Sequence, residues 1–455
     1  MVNDFKDTEK VFEAANRYGV NLIRFLYTDM SGLVRGKASS LSSLKGRMVS
    51  GIGLVKGMMA MNVLDSLQSD TGLGATGEVR LVPDAETFVV LPYVESSAAM
   101  ICDMQELDHS PWQLCPRELL RKQIKDAATL GYSIQAAFEP EFMLSTYCGP
   151  EKTGELLPID TSVCFGTDGM NRANRFSATL LDYLKRQSIE VEQYYPELGH
   201  GQHEISVKYK GAMKACDQYI LVRETLKGLA FEQDLFLTMA PKPYEEQPGN
   251  GCHLHLSIWN RNESENLMFG NQGGLSAMAM SFIAGIISHL PALTAFTCPS
   301  VNSYRRLRPK SWSSAYACWG YDNREAAVRV PSTYWGKEKA STNIEIKSVD
   351  NTINPYLAMA CVIAAGLDGV MKKLEPPAPV ACDPADLTEE ERASLSINRL
   401  PTALSSALIE LETDIYLMKV LGEKLANTFI SVKTSEASAF AQDAEFELVQ
   451  HRMRY

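Results

Sequence analysis

Three stretches of this chain alternate charged or imidazole side chains with apolar ones: FEPEF (138–142), CHLHLSI (252–258) and NIEIKSVD (343–350). Residues two apart in an extended strand leave the same face. Glu139 and Glu141, His253 and His255, and Glu345 and Lys347 are therefore expected as same-face pairs. Such faces cannot be buried in an apolar core. They must be wetted by solvent, as an exposed strand or a surface ion ladder would be, or gathered around something that answers their charge. Phe138 and Phe142 flank the first pair and argue against full exposure.

The rest of the chain can build a core around that face. Of its 455 residues 45% are apolar, enough for one large domain or two to three ordinary ones. The first hundred residues read as strand-rich: a helix TEKVFEAANRYG closed by Gly19, then VNLIRFLYTD, TFVVLPY and AAMICDM as strands, with the polar SLQSDTGLGATGEV as a surface loop. Past HSPWQLCP, Pro116 opens the helix RELLRKQIKDAATL. Strands SIQAAFEPEFML, IEVEQYY, HEISVKY and CHLHLSI then alternate with helices ANRFSATLLDYLKRQ, MKACDQYILVRETLKGLAFEQ and LSAMAMSFIAGIISHL, and the chain after TNIEIKSVD is mostly helical. This layout predicts an α+β protein with a small β-rich N-terminal domain (1–108) and a large catalytic domain (109–455). PYLAMACVIAAGLDGVM is short for a membrane span and is interrupted by Asp368, so a buried core helix is expected. A net charge of −11, ten singly scattered cysteines and a polar start, MVNDFKDTEK, point to a reduced cytoplasmic protein with neither a nucleic-acid nor a membrane partner.

Two further stretches add charge. YYPELGHGQHEI sets Glu197 and Glu204 either side of a turn, and NSYRRLRPKSWS with YDNREAAVRVP supplies Arg305, Arg306, Arg308, Arg324 and Arg329. Each alone has an ordinary explanation, an acidic loop or a solvated basic turn. Together the segments offer five carboxylates and one or two imidazoles, a donor set that suits Mg²⁺ or Mn²⁺ better than zinc. Guanidinium forks beside such metals are what a transferring phosphoryl group requires. Arg306 is expected to point inward, with Arg305 and Arg308 structural. The chain has no GxxxxGK[ST] loop, no GxGxxG after a strand and no GxSxG elbow. A bound nucleotide would therefore be held by metals and side chains.

In chain order, FEPEF, PELGHGQHEI, PKPYEEQPGNGCHLHLS, VNSYRRLRP, DNREAAVRVP, NIEIKSVD and NPYLAMACVIAAGLDG resemble the motifs of the glutamine synthetase superfamily, type I branch, from about residue 15 to the C-terminus. The resemblance implies an N-terminal β-grasp domain, a catalytic domain whose antiparallel strands form an active-site funnel, and stacked rings, usually dodecamers. It implies two or three Mg²⁺ or Mn²⁺ ions per site. Glu141, Glu197 and Glu204 match the ligands of one, and Glu139, His253 and Glu345 those of a second. Glu192, Tyr209, His255 and Ser257 fall where the family binds ATP, and Arg324 and Arg329 where it clamps phosphates. Gly249, Gly251, Arg306 and Lys347 fall around glutamate. The implied chemistry is phosphorylation of the γ-carboxylate of L-glutamate by ATP, followed by attack of an amine on the acyl phosphate.

Departures from the family pattern bear on the substrates. Lys347 stands where the family usually has an arginine, giving a point charge in place of a fork. A carboxylate other than glutamate therefore stays open. Trp312 stands where ammonia-using members carry a glutamate, and the N-terminal region reads GIGLVKGMMAMNVLDS, with no aspartate motif for ammonium. Indole and thioethers offer cation–π contact and apolar surface, which suits a small organic amine. Packing alone would also explain Trp312 and the methionines. The sequence thus resembles the γ-glutamyl–amine ligases most in character, with a true glutamine synthetase or a non-catalytic scaffold as the alternatives.

Overall fold

The computed structural model of the chain describes residues 5–147, 155–270 and 273–455. After the helix Phe5–Arg17, the N-terminal sheet is built from β1 (Leu22–Thr28), β2 (Val34–Ser40), β3 (Ile52–Val55), β4 (Glu78–Pro83), β5 (Val89–Val90) and β6 (Ser97–Gln105). Its order is β2-β1-β6-β4-β3, with β5 also on β6 and β1 parallel to β6. The expected strand TFVVLPY shrinks to the two residues of β5, because Ala85–Thr87 forms a 3₁₀ turn and Leu91 bonds back to Ser97. Met59, from the methionine-bearing stretch, is fully buried in the core, and Met58 packs against it.

The second sheet has eleven strands: β7 (Tyr132–Tyr147), β8 (Leu156–Pro158), β9 (Val191–Pro196), β10 (Gln202–Val207), β11 (Lys210–Gly211), β12 (Phe236–Thr238), β13 (Cys252–Asn260), β14 (Tyr316–Tyr321), β15 (Ala326–Val330), β16 (Ile344–Ile346) and β17 (Asn398–Arg399). The path runs β17-β14-β15-β16-β13-β7-β10-β9, with β8, β11 and β12 also on β7. All pairs are antiparallel except β14 with β15. The fold is α+β with an N-terminal sheet domain.

Helices cover the far side of this sheet. Ala277–Thr297 and Pro355–Lys372 are both long and apolar enough to cross a membrane, but 72% and 83% of their apolar windows are buried inside the protein. They are core helices, as expected for the second; the first also runs through Pro291 to Thr297, past the end read from the sequence. They touch at Gly285 and Gly369, where an added Cβ would come within 2.2 Å of the Ala365 carbonyl and 2.1 Å of the Ser281 carbonyl. Nine cysteines are free thiols among the described residues; Cys148 lies outside them.

Candidate active site

Strand register builds the site. Across β13 and β7, His253 pairs with Glu139; across β13 and β16, His255 pairs with Glu345; across β15 and β16, Arg329 pairs with Glu345. On the other side of β7, Glu141 pairs with Glu204, and Glu204 with Tyr195 on β9. The alternating faces seen in the sequence thus fall into one row across six strands. They line a cavity of about 640 Å³ together with Glu197, Gly249, Arg306, Trp312, Arg324 and Lys347.

The donors gather in two groups whose ligating atoms lie within 4.8 Å of one another: Glu139, His255 and Glu345, and Glu141, Glu204 and His253. This differs from the sets implied by the resemblance, which gave His253 to Glu139 and Glu345 and left His255 to ATP. The reason is that His253 bridges the groups. Its Nδ1 is 3.3 Å from Glu345 and its Nε2 3.9 Å from Glu141, while His255 Nε2 lies 3.1 Å from Glu139. Glu197 lines the cavity outside both groups.

Burial and neighbouring charges separate the carboxylates. Burial pushes Glu141 up to about 7, against the pull of Arg306. Burial, with Glu139 and Glu141 beside it, lifts Glu204 well above the carboxylate range, and Tyr195 donates a short hydrogen bond to it. Glu345 goes the other way: burial opposes its ionisation, but Lys347, the two imidazoles and Arg329 outweigh burial and hold it well below the usual range. Burial and then Lys347 push His253 far down, against the pull of Glu345. Burial also opposes a charge on His255, yet Glu139 and Glu345 raise it to about 9. Five carboxylates, three buried and two (Glu139 and Glu197) half-buried, with an imidazole in each group, mutually repelling, fit hard divalent cations.

The cradle is close-fitting. A Cβ on Gly251 would lie 2.6 Å from Arg306 Nη2, 2.9 Å from His253 Nε2 and 3.0 Å from Glu141 Oε1. Gln202, which sequence reasoning missed, donates from Nε2 to Glu141 (2.9 Å) and to the Gly249 carbonyl (2.9 Å), tying strand to loop. Arg306 is buried and bonds the Val349 carbonyl at 3.2 Å, inward as expected. Arg305 is structural as expected, paired with Glu447 at 2.5 Å and Glu245 at 3.1 Å. Arg308, which lines the cavity as Arg305 also does, differs: its exposed side chain has no carboxylate partner among the described residues. The reason is the turn that follows, where Ser311 and Ser313 bond the Arg308 backbone and leave its side chain free.

Other candidates fall outside the cavity lining. Glu192 and Tyr209 are exposed; Tyr209 stacks on Trp259 with centroids 6.3 Å apart, and Trp259 donates to Ser257 Oγ at 2.9 Å. Tyr209, Trp259 and Ser257 form a small patch further along β13. The cavity also takes Cys164, Phe165, Gln193, Lys242 and Tyr334, loop and edge residues without a periodic signal in the sequence.

Comparison with known proteins agrees with this architecture. Residues 7–112 match the glutamine synthetase N-terminal domain, and residues 113–449 match the glutamine synthetase catalytic domain. The chain is 34% identical to the gamma-glutamylpolyamine synthetase GlnA3 of Streptomyces coelicolor, over 92% of this chain and 90% of that protein. It is also 34% identical to the glutamine synthetase of Methanocaldococcus jannaschii, over 95% of each. A solved complex of GmaS with ADP superposes with a TM-score of 0.82 at 28% identity, covering 96% of this chain and 98% of that one. The chain belongs to the glutamine synthetase family and is an ATP-dependent carbon–nitrogen ligase.

Proposed function

We propose that the protein joins the γ-carboxylate of L-glutamate to a primary organic amine, giving a γ-glutamylamide, ADP and phosphate. The observation that carries this reading is Trp312. It lines the cavity and is 56% exposed, so packing within its own chain does not account for it. Its backbone sits at φ 53°, between Lys310 at 57° and Ser314 at 65°, a run of left-handed residues that costs conformational energy. Glu325 holds the Trp312 N–H at 2.8 Å. A strained segment presenting an indole to the cavity favours a cation with a hydrocarbon body over bare ammonium. The three methionines do not add to this argument, since none lines the cavity and Met59 belongs to the core.

In this reading the two groups Glu139, His255, Glu345 and Glu141, Glu204, His253, with Glu197, hold Mg²⁺ or Mn²⁺. Bound metal supplies charge neutralisation for the phosphates of ATP and the transferring phosphoryl group. Arg324 and Arg329 clamp phosphate oxygens, and Gly249, Gly251 and Arg306 shape the pocket for the reacting carboxylate. The amine nitrogen then attacks the acyl phosphate, phosphate leaves, and the nitrogen loses a proton. Assembly into stacked rings is part of the same proposal. Glutamine synthesis is the competing reading, supported by the equal identity to an archaeal glutamine synthetase.

The test is phosphate release from ATP with Mg²⁺ and glutamate over ammonium, methylamine, isopropylamine, ethanolamine, putrescine and aniline, with products identified by mass. Turnover with an organic amine and little with ammonium supports the proposal. Preference for ammonium returns the protein to glutamine synthesis, and silence across the panel rejects glutamate ligation.

A further inference from the structure

We infer that Asn351 is a positioning residue for the donor row: its buried side-chain amide locks Glu141 to Gly251, and Tyr219 and Arg223 fasten that lock to the N-terminal domain. This role rests on the metal-dependent ligase reading above. It falls to a residue outside the cavity lining.

Asn351 follows β16 in a segment, SVDNTIN (348–354), that is buried throughout without forming helix or strand. A polar turn taken out of water needs partners for its strong polar groups. The fully buried Asn351 side chain donates from Nδ2 to two carbonyls, that of Glu141 at 2.9 Å and that of Gly251 at 2.9 Å. Both carbonyls can only accept, which fixes the orientation of the amide. Its Oδ1 accepts from the Tyr219 hydroxyl at 3.2 Å.

The two carbonyls belong to residues that meet at one of the donor groups. The Gly251 N–H donates to Glu141 Oε2 at 3.0 Å, and the Glu141 N–H donates to the Gly251 carbonyl at 3.0 Å. Strand β7 and the loop ahead of β13 are therefore joined twice directly and once more through Asn351. Glu141 has to hold its carboxylate beside Glu204 and His253, where like charges push the strands apart. A clamp on the backbone resists that push without using a carboxylate oxygen that a cation needs.

The clamp is itself anchored. Tyr219 and Arg223 lie one turn apart on the helix Ala212–Glu232, and both are buried. Tyr219 packs on Phe138 with ring centroids 4.9 Å apart. Arg223 Nη1 donates to the Gly32 carbonyl at 2.7 Å and to the Asn351 carbonyl at 3.4 Å. Gly32 belongs to the turn between β1 and β2, and a Cβ there would come within 2.1 Å of the Thr352 carbonyl. The N-terminal domain thus rests directly on the segment that carries Asn351.

The experiment measures Mg²⁺ binding by calorimetry without nucleotide, and hydrogen exchange over residues 138–142 and 249–254, alongside phosphate release with the amine panel. It compares wild type with Asn351→Leu, Tyr219→Phe and Tyr455→Phe. Leucine is close to asparagine in size and lacks the amide. We expect Kd for Mg²⁺ to rise about tenfold in Asn351→Leu, the scale on which outer hydrogen bonds tune metal affinity, with faster exchange over both segments. Tyr219→Phe keeps the ring on Phe138, loses only the hydroxyl, and should shift Kd the same way by less. It decides the matter if Asn351→Leu does not fold. Tyr455 donates to the Ser31 carbonyl at 2.6 Å in the same N-terminal turn. Tyr455→Phe loosens that turn without touching the amide and should leave Mg²⁺ affinity unchanged. Unchanged affinity in Asn351→Leu and Tyr219→Phe overturns the inference, and so does an equal loss in Tyr455→Phe, which would mark a global effect. Wild-type protein that binds no Mg²⁺ rejects the metal reading and this role with it. Mg²⁺ binding that depends on Asn351 without turnover of any amine supports the role and rejects the amine reading alone.

Discussion

Lys347 Nζ lies 3.4 Å from His253 Nε2, and both residues are buried. A fixed positive charge in contact with both donor groups repels any divalent cation that joins them. Lys347→Met keeps most of the side-chain length and removes the charge. The Mg²⁺ concentration giving half-maximal thermal stabilisation should therefore fall, as read from Tm against added Mg²⁺. Weaker Mg²⁺ binding in this variant would mean that Lys347 serves to orient Glu345 rather than to oppose the cation.

Trp312 and Glu325 make a second testable pair, because the Glu325 carboxylate anchors the backbone that presents the indole. Trp312→Glu puts an anion where the indole stands. Specificity should move toward ammonium by about tenfold, the effect of roughly 1.4 kcal/mol of differential binding. Competition between ammonium and the best organic amine, with products quantified by mass, measures it. An amine profile that does not move would reduce Trp312 to a packing residue.

Gly251 leaves room for three functional atoms at once, the nearest of them 2.6 Å from where a Cβ would sit. Gly251→Ala should displace Arg306, His253 and Glu141 by enough to lower phosphate release by about 100-fold, the scale expected of ångström-level misplacement. Glu141→Ala and Arg324→Ala should abolish release outright. Near-normal turnover in any of the three would contradict the site as drawn.

What the sequence revealed and what it hid follow from the same physics. A strand repeats every two residues, so the shared faces of Glu139 with Glu141 and His253 with His255 could be read directly, and the sheet register then joined them. Burial of Pro355–Lys372 was legible because Asp368 interrupts an otherwise apolar run. Cys164, Phe165 and Tyr334 come from segments without a period, so nothing in their neighbours marks the side facing the cavity. Arg305 and Arg308 look alike in NSYRRLRP; only the position of Glu447, some 140 residues later in the chain, neutralises one and leaves the other. His253 could be matched to a motif, but its place between two carboxylate groups depends on side-chain positions that spacing does not encode.

Away from the site, His289 joins the two core helices to the chain's C-terminal region: Nδ1 lies 2.6 Å from Asp414 and Nε2 3.2 Å from Asp368. Burial opposes a charge on the imidazole, but the bonds to Asp414 and Asp368 outweigh it and raise its pKa above 6.5. Burial likewise opposes ionised Asp414, and His289 with the Leu417 N–H outweighs that, lowering the carboxyl below 3.8. A histidine pKa raised by folding adds stability that is fully present below its unfolded value and is lost as pH rises through the folded one. The depressed Asp414 sets the acid limit of the same window. His289→Gln should therefore lower Tm most near about pH 6 and progressively less as pH rises through the raised folded-state value of the imidazole. Thermal unfolding of both proteins across that range measures the difference. A deficit that grows with pH would show that His289 acts as a neutral hydrogen-bonding group and not as the cation between two aspartates.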